Sequence, residues 1–287
     1  MDKLYIVTPT YNREKELRKL YSSLKGQTDK NFVWLVIDDG SNDSTGELFQ
    51  EWIKENFITI EYYFKANGGK HTAYNYALEI MGKEGYHVVV DSDDWLVETA
   101  VAIFRRAIIN DTNIVGTVYP KGKKIKNEID NVLLSIVDLR IKYKIVETCI
   151  LIKNEQIHDY RFPTFDGEKF MSEEVLYIHL DKIGKFRFKN YEVYHFKYLE
   201  GGLTNNLFSL WLKNPKGTLY FLEQRKKFIK KNYKGVVKIK ELIKTTLNME
   251  AVEYTISKST YDYFRKAGIK SILIFPFVYI VSKIRFK

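Results

Sequence analysis

Four short apolar runs in the first hundred residues each end in a tight polar cluster, and this constrains the fold more than any other feature. Residues 4–8 (LYIVT) lead into Pro9-Thr10-Tyr11-Asn12, and residues 32–37 (FVWLVI) into Asp38-Asp39-Gly40-Ser41. The run at 58–64 leads to Asn67-Gly68-Gly69-Lys70, and residues 86–90 (YHVVV) to Asp91-Ser92-Asp93-Asp94. These runs are largely continuous rather than alternating, as in strands covered on both faces. Helical spacing fills the gaps: Leu17, Leu20, Tyr21 and Leu24 within 14–24, and Ala73, Tyr76, Ala77 and Ile80 within 70–81. Ser44-Thr45-Gly46-Glu47 has the capping-box form ahead of a helix carrying Leu48, Phe49, Trp52 and Ile53. Pro9 is expected to stop the first strand. Repeated strand–helix units predict a doubly wound, Rossmann-like α/β fold, with a mostly parallel sheet between helix layers. Ligands of such sheets bind beyond the carboxyl ends of the strands, so the four polar clusters should converge on one edge.

Further along, the spacing predicts a helix over 131–141, a strand over 146–152, a helix over 175–180 and a strand over 186–194. After Gly201-Gly202 the chain reads as helical and basic. Residues 1–210 carry 28 Lys/Arg against 31 Asp/Glu, whereas residues 211–287 carry 18 against 5. The net charge of +10 therefore belongs to the C-terminal quarter. A basic extension suits an anionic partner, nucleic acid or a membrane surface, or simply solvated helix faces. With 45% hydrophobic residues the chain can build a sizeable core. A lone cysteine, Cys149, excludes an internal disulfide, suits a reducing compartment and is expected in the core. The N-terminus does not read as a signal peptide, and no run reaches the ~18 apolar residues of a membrane span.

The acids at 91–94 have two readings. Ser92 or Asp93 can cap a following helix near Glu98 while the others are solvated. Alternatively the carboxylates hold a hard cation such as Mg²⁺ or Mn²⁺, which prefers oxygen ligands and bridges to phosphates. Mutual repulsion among three clustered acids favours a compensating cation.

In order and spacing, Thr8-Pro9-Thr10-Tyr11-Asn12, Val36-Ile37-Asp38-Asp39-Gly40-Ser41-Asn42-Asp43, Asn67-Gly68-Gly69-Lys70 with Ala73 and Asn75, and Asp91-Ser92-Asp93-Asp94 resemble family 2 glycosyltransferases. The resemblance covers roughly residues 1–200. It implies an inverting, nucleotide-sugar-dependent enzyme of the GT-A fold. The catalytic domain would span 1–205, with a nucleotide-binding half at about 1–100 and an acceptor half at 101–205. Residues 206–287 would form a basic helical extension.

By position, the resemblance implies that Thr8, Tyr11 and Asn12 line the nucleotide pocket, with Pro9 rigidifying the turn. Asp39 would accept from a uracil N–H, leaving Asp38 or Asp43 to serve the turn. Lys70 and Asn75 belong to the donor loop, where Lys70 touches the donor or is simply solvated. Asp91, with Ser92 beside it, would hold the ribose or nucleotide side. Asp93 would bind the metal, Mn²⁺ or Mg²⁺, with Asp94 helping or binding sugar hydroxyls. The base that deprotonates the acceptor falls at Glu174, where the family usually has Asp, with Glu173 as the alternative. Two acids favouring a helix N-terminus is the other reading of that pair.

The five histidines form no ligand pair. His71 could contact phosphate and His195 the pyrophosphate or metal, or each could be structural or on the surface. Gly201-Gly202-Leu203-Thr204 resembles a flexible loop found after the catalytic region in some relatives, and it could fold over the donor. The expected partners are a UDP-sugar and a glycan or lipid-linked acceptor, with a homo-oligomer allowed and no nucleic acid. Residues 269–287 suit an interfacial helix on an anionic bilayer, or one packed on protein. The expected setting is the cytoplasm, peripheral to the inner face of the plasma membrane. A nucleotidyltransferase would want a Gly-rich basic loop where Pro9-Thr10-Tyr11-Asn12 stands. A non-catalytic scaffold or nucleic-acid binder would rely on the basic tail alone.

Overall fold

The computed structural model describes residues 2–108, 114–123, 125, 129–197, 206–267 and 269–286. In chain order the elements are β1 (Leu4–Thr10), α1 (Glu14–Lys25), β2 (Val33–Asp38), α2 (Thr45–Glu55), β3 (Thr59–Phe64), α3 (Lys70–Met81), β4 (Tyr86–Val89), β5 (Trp95–Leu96) and α4 (Ala100–Ala107). Then come β6 (Ile114–Pro120), β7 (Val132–Leu134), α5 (Ile136–Ile141), β8 (Thr148–Lys153), α6 (Glu174–Ile183), β9 (Lys185–Phe188) and β10 (Tyr194–His195). The chain ends with α7 (Leu207–Lys213), α8 (Pro215–Asn232), α9 (Gly235–Ile256), α10 (Thr260–Ala267) and α11 (Ile269–Arg285). The structure falls into two compact units, Met1–Phe162 with His179–Lys197, and Pro163–Ile178 with Tyr198–Lys287.

The first unit holds an eight-stranded sheet of order β3-β2-β1-β4-β8-β6-β9-β7 and a two-stranded sheet, β10-β5. Parallel pairing joins β3, β2, β1 and β4, and again β6 and β9, so four of the seven pairings in the large sheet are parallel. Strand β8 is antiparallel to both β4 and β6, which makes β6 run the same way as β4. One face of β1 and β2 supplies Leu4, Ile6, Trp34 and Val36 to a core shared with Leu17, Leu20, Leu48, Phe49 and Trp52. Trp34 is its hub, with ring centroids 5.2 Å from Phe49 and 5.9 Å from Trp52.

Four sequence expectations are corrected. Pro9 does not stop β1, which continues to Thr10 in register with Asp38. The O of Val7 accepts from Val90, so odd-numbered residues of β1 face β4, and β4 pairs only as far as Val7. The missing Pro9 N–H therefore faces a side where the ladder has already ended. The helix expected over 131–141 is β7 followed by α5. Asp181, from the far end of α6, accepts from the Ser135 hydroxyl and from the Ile136 and Val137 N–H groups, satisfying the start of α5. The strand expected over 186–194 stops at Phe188, and Tyr194–His195 leaves to pair with β5. At α2 the Ser44 side chain makes no cap bond, and Asp43 instead accepts from the Thr45 N–H at 3.1 Å. Cys149 is buried in the core, as expected.

In the second unit, residues 163–178 belong with the C-terminal helices rather than with the sheet, unlike a boundary at 205. The reason is hydrogen bonding. Glu168 accepts from Lys216 and Gly217 N–H at the start of α8, and the Asn214 side-chain oxygen accepts from Lys169 and Phe170 N–H. A carboxylate at a helix N-terminus also opposes the helix dipole favourably. Helices α9, α10 and α11 pack around Ala251, Tyr263 and Val278, with Tyr254, Phe264 and Phe275 against them. No helix among the described residues is long and apolar enough to cross a membrane.

His87 in β4 is fully buried, held between the Tyr74 hydroxyl at 2.7 Å and the Asn154 side-chain oxygen at 2.7 Å. Burial lowers its pKa to about 4, against the opposing bond to Asn154. The unfolded chain then binds more protons than the folded one between pH 4 and 6.5, so stability present above the unfolded pKa is lost as pH falls. From this group alone, unfolding at pH 5 should cost about 2 kcal/mol less than at pH 7.5. Urea titrations of wild type and His87→Gln across that range check it: the pH slope should flatten in the variant.

Candidate active site

Strands β1, β2, β4 and β6 all point their carboxyl ends to one edge of the sheet. At the end of β1, the Asn12 N–H donates to the Ser41 hydroxyl and the Asn42 N–H donates to the Asn12 side-chain oxygen, each at 2.8 Å. Asn12 takes a left-handed φ of 51°, a conformation that Asn tolerates better than most residues. Tyr11 stays 47% exposed beside it. Thr8 departs from expectation. It is fully buried, and its hydroxyl accepts from the Trp34 indole N–H at 2.9 Å, so it serves the core rather than a pocket wall.

The end of β2 separates the work of neighbouring acids. Asp38 accepts from the Ser41 N–H and the Tyr62 hydroxyl, and Asp43 from the Glu14 and Thr45 N–H groups. These two serve the turns. Asp39 is 4% exposed and gathers the loop at 65–69: Oδ1 takes the Lys65 ammonium at 2.6 Å and the Gly68 N–H at 3.0 Å, and Oδ2 takes the Gly69 N–H at 2.6 Å. A carboxylate offers about four lone-pair sites, so among the described residues one position on Oδ2 is left for a further donor. The two loops lie close. A Cβ added at Gly40, whose φ is +87°, would meet the Asn67 N at 2.8 Å. Asn75 is also reassigned: its amide donates to the Phe162 O and accepts from the Phe162 N–H, which makes it a backbone staple.

The acids after β4 are mostly compensated from within. Lys70 donates to Asp91 Oδ1 at 2.5 Å. Lys121, directly after β6, donates to Asp91 Oδ2 at 3.0 Å and Asp94 Oδ2 at 3.3 Å. The Tyr194 hydroxyl donates to Asp94 at 2.8 Å and accepts from the Asp91 N–H at 3.0 Å. Burial would raise the Asp91 pKa, but the charges of Lys121 and Lys70 outweigh it and hold the carboxyl well below the usual range. Burial, with the charges of Asp91 and Asp93, raises Asp94 to about 6 against Lys121 and Tyr194. Ser92 is buried. Asp93 is half-buried and, alone of the three acids, has no partner among the described residues.

No three His, Cys, Asp or Glu side chains among the described residues gather as a metal cluster. The residues still fit a cation that arrives with phosphate oxygens, because such an ion needs only one or two protein carboxylates. Sequence reasoning missed Lys121. Its signal was the same as for the other clusters, a charged residue ending an apolar run. Only the non-local order β4-β8-β6 brings it to this edge.

His71 is buried, burial lowers its pKa, and its Nδ1 has no partner among the described residues. His195 lies 5.6 Å from the Trp95 ring and 3.7 Å from Glu192. The Gly201–Thr204 loop lies outside the described residues.

In the second unit, Glu174 opens α6 as a buried carboxylate paired with Arg225 of α8. Arg225 also donates to the buried Glu241 of α9 at 2.8 Å. Burial would lower the Arg225 pKa, but the two carboxylates outweigh it and raise it. Glu173 is exposed and accepts from the Tyr177 hydroxyl at 2.8 Å. Nothing local in the sequence at 173–174 announced the ion pair, whose partners come from two later helices.

The carboxyl edge of a parallel sheet is where α/β folds bind their ligands, and comparison with known proteins gives the family. Residues 5–161 match the model of Glycosyl transferase family 2, and the chain belongs to that family. Its fold is the GT-A fold. Glycosyltransferase GlyA of Streptococcus pneumoniae is 37% identical over 108 residues, which is 38% of this chain and 15% of that protein. The chain thus spans a small part of that relative. Among solved structures, S. aureus TarS 1–349 in complex with UDP-GlcNAc aligns with a TM-score of 0.64 at 18% identity, covering 94% of this chain and 77% of that one. The mannosyltransferase PcManGT from Pyrobaculum calidifontis, in complex with GDP-Man and Mn²⁺, aligns with a TM-score of 0.56 at 14% identity, covering 99% and 84%.

Asp39→Asn would turn an amide N–H₂ towards one of three donors. The unfolding free energy should fall by about 1–3 kcal/mol, read by urea denaturation. A loss within about 0.5 kcal/mol, typical of an uninvolved surface change, would show that the carboxylate does not hold the 65–69 loop.

Proposed function

We propose that this glycosyltransferase inverts the anomeric centre of a UDP-sugar and passes the sugar to a glycan or lipid-linked glycan. The observation that carries the reading is the convergence of Asp39, Lys70, Asp91 and Asp93 on one carboxyl edge. The open acceptor position on Asp39 suits a uracil N–H. Asp91 suits the ribose, and Lys70 the diphosphate. Asp93, with Asp94 beside it, would hold Mn²⁺ or Mg²⁺. Such an ion, when bound, neutralises charge growing on the departing diphosphate.

The reaction is a single displacement. The acceptor hydroxyl oxygen bonds to the anomeric carbon, the bond from that carbon to the diphosphate oxygen breaks, and its electron pair leaves with UDP. One in-line attack inverts the configuration. The acceptor proton goes to a carboxylate base, which we assign to Glu174. Arg225 fixes the orientation of that side chain. Glu173, exposed on the same turn, is the alternative.

UDP release measured across common UDP-sugars, with Mn²⁺ and with EDTA, tests the donor and metal together. Glu174→Gln should keep UDP binding but lose transfer by about 10²-fold or more, with Glu173→Gln close to wild type; the reverse pattern moves the base to Glu173. Asp93→Ala should abolish metal-dependent UDP binding. Equal UDP affinity of wild type with EDTA and with Mn²⁺ would remove the metal from the reading.

We place the enzyme at the cytoplasmic face of an anionic membrane, docked through α11. Leu273, Phe277, Ile280 and Ile284 form one stripe along that helix, 53–80% exposed, opposite the buried Ser271, Val278 and Ser282. Apolar surface of this kind beside Lys283 on a basic unit suits an anionic interface. The full chain should float with phosphatidylglycerol vesicles and not with phosphatidylcholine vesicles. Leu273→Glu with Phe277→Glu should abolish flotation, and a dimer in solution that those changes dissociate would instead assign the stripe to a second copy.

A further inference from the structure

The ammonium of Lys121 occupies the place between two carboxylates where a cation would be expected to sit. Its side chain is 11% exposed and that of Asp94 is 7% exposed. The nitrogen lies 3.0 Å from Asp91, 3.3 Å from Asp94 and 4.3 Å from the Tyr194 ring centroid. Lys70 takes the other oxygen of Asp91. Two of the three clustered acids are therefore already compensated, and the third, Asp93, has no partner among the described residues.

A free divalent ion approaching this edge meets one uncompensated carboxylate and the repulsion of two lysines. Hard cations bind tightly through several oxygens and give up water reluctantly, so Asp93 alone is a poor site. A nucleoside diphosphate changes the balance. Its oxygens complete the coordination shell and give the lysines an alternative anion.

We propose that Lys121 is a positioning residue that withholds Asp91 and Asp94 from free cations, so that a divalent ion is accepted only together with the diphosphate it bridges. The inference rests on the metal-dependent UDP-sugar reading and adds an order of binding to it. It also gives Lys121 a role that the arginine of a Lys121→Arg variant can retain, because any buried cation there compensates both carboxylates.

The test uses nucleotide-free protein. Mn²⁺ binding is followed by the paramagnetic resonance of the free ion, and melting temperature is followed with and without Mn²⁺. Wild type and Lys121→Arg should bind Mn²⁺ weakly and show no melting shift with it. Lys121→Met uncovers the two carboxylates. It should melt lower without metal, bind Mn²⁺ at least about tenfold more tightly than wild type, a factor worth ~1.4 kcal/mol, and regain melting temperature when Mn²⁺ is added. A purely structural lysine would lower the melting temperature without making it depend on metal.

If Lys121→Met does not fold, Lys70→Met, at a more exposed position, frees one oxygen of Asp91 and should show the same Mn²⁺-dependent shift in smaller measure. A folded Lys121→Met with the Mn²⁺ affinity of wild type overturns the proposal, as does tight Mn²⁺ binding by nucleotide-free wild type. Wild type that fails to bind Mn²⁺ even with UDP would sink the metal reading. A gain of Mn²⁺ affinity in Lys121→Met would still support the role of the lysine.

Discussion

Parallel pairing of β2, β1 and β4 is the constraint from which the site follows. It sends three chain reversals to one edge, and each reversal leaves polar groups where apolar strands have just ended. The antiparallel strand β8 restores the direction in β6 and adds Lys121 to the same edge. Burying two acids as close as Asp91 and Asp94 costs free energy unless opposite charges or donors meet them. The lysines and the Tyr194 hydroxyl are thus conditions for the edge to exist in this form. Asp94, with the weaker compensation of the two buried acids, shows the residual strain in its raised pKa.

What the sequence made legible was local or periodic. The bounds of α3 match the expected 70–81, and the edge rule directed the four polar clusters to the carboxyl ends of the strands, although β1 runs on through Pro9 and Thr10 and β2 through Asp38. What it concealed depended on direction and distance. Thr8 and Tyr11 lie three residues apart in one motif, yet one faces the Trp34 core and the other is open to solvent. The difference is the end of the strand: all seven residues of β1, through Thr10, are buried, and Tyr11 is the first residue beyond it. Asn75 looked like donor-loop chemistry because it follows the glycines, but its amide meets a backbone 87 residues away. Lys121 and Arg225 were hidden for the same reason. Their partners are fixed by sheet order and by helix packing, which no local pattern encodes.

The charge of the C-terminal unit also reads differently once its contacts are known. Arg225 is internal, spanning Glu174 and Glu241, and Arg285 donates to Asn248 over the Phe208 ring. Part of the basicity therefore organises the unit, and it fixes the first residue of α6, which carries the proposed base. A buried ion pair of this kind is weak evidence for stability. Its clearer consequence is orientation, because a guanidinium bound to two carboxylates from different helices leaves each of them few alternative rotamers.

The two best-defined acids of the edge are compensated in different ways, and the difference bears on what each can do. Asp39 is held largely by backbone: two of its three donors are the N–H groups of Gly68 and Gly69, which cannot leave without unfolding the loop. Its remaining acceptor position therefore has a fixed direction, as recognition of a planar base requires. Asp91 is held by two lysine ammoniums on flexible stems, which can turn to another anion without moving the backbone. A rigid acceptor and an exchangeable one at the same edge suit the two ends of a nucleoside diphosphate. The base needs a fixed partner, whereas the diphosphate must draw cations to itself as it arrives and release them as it departs.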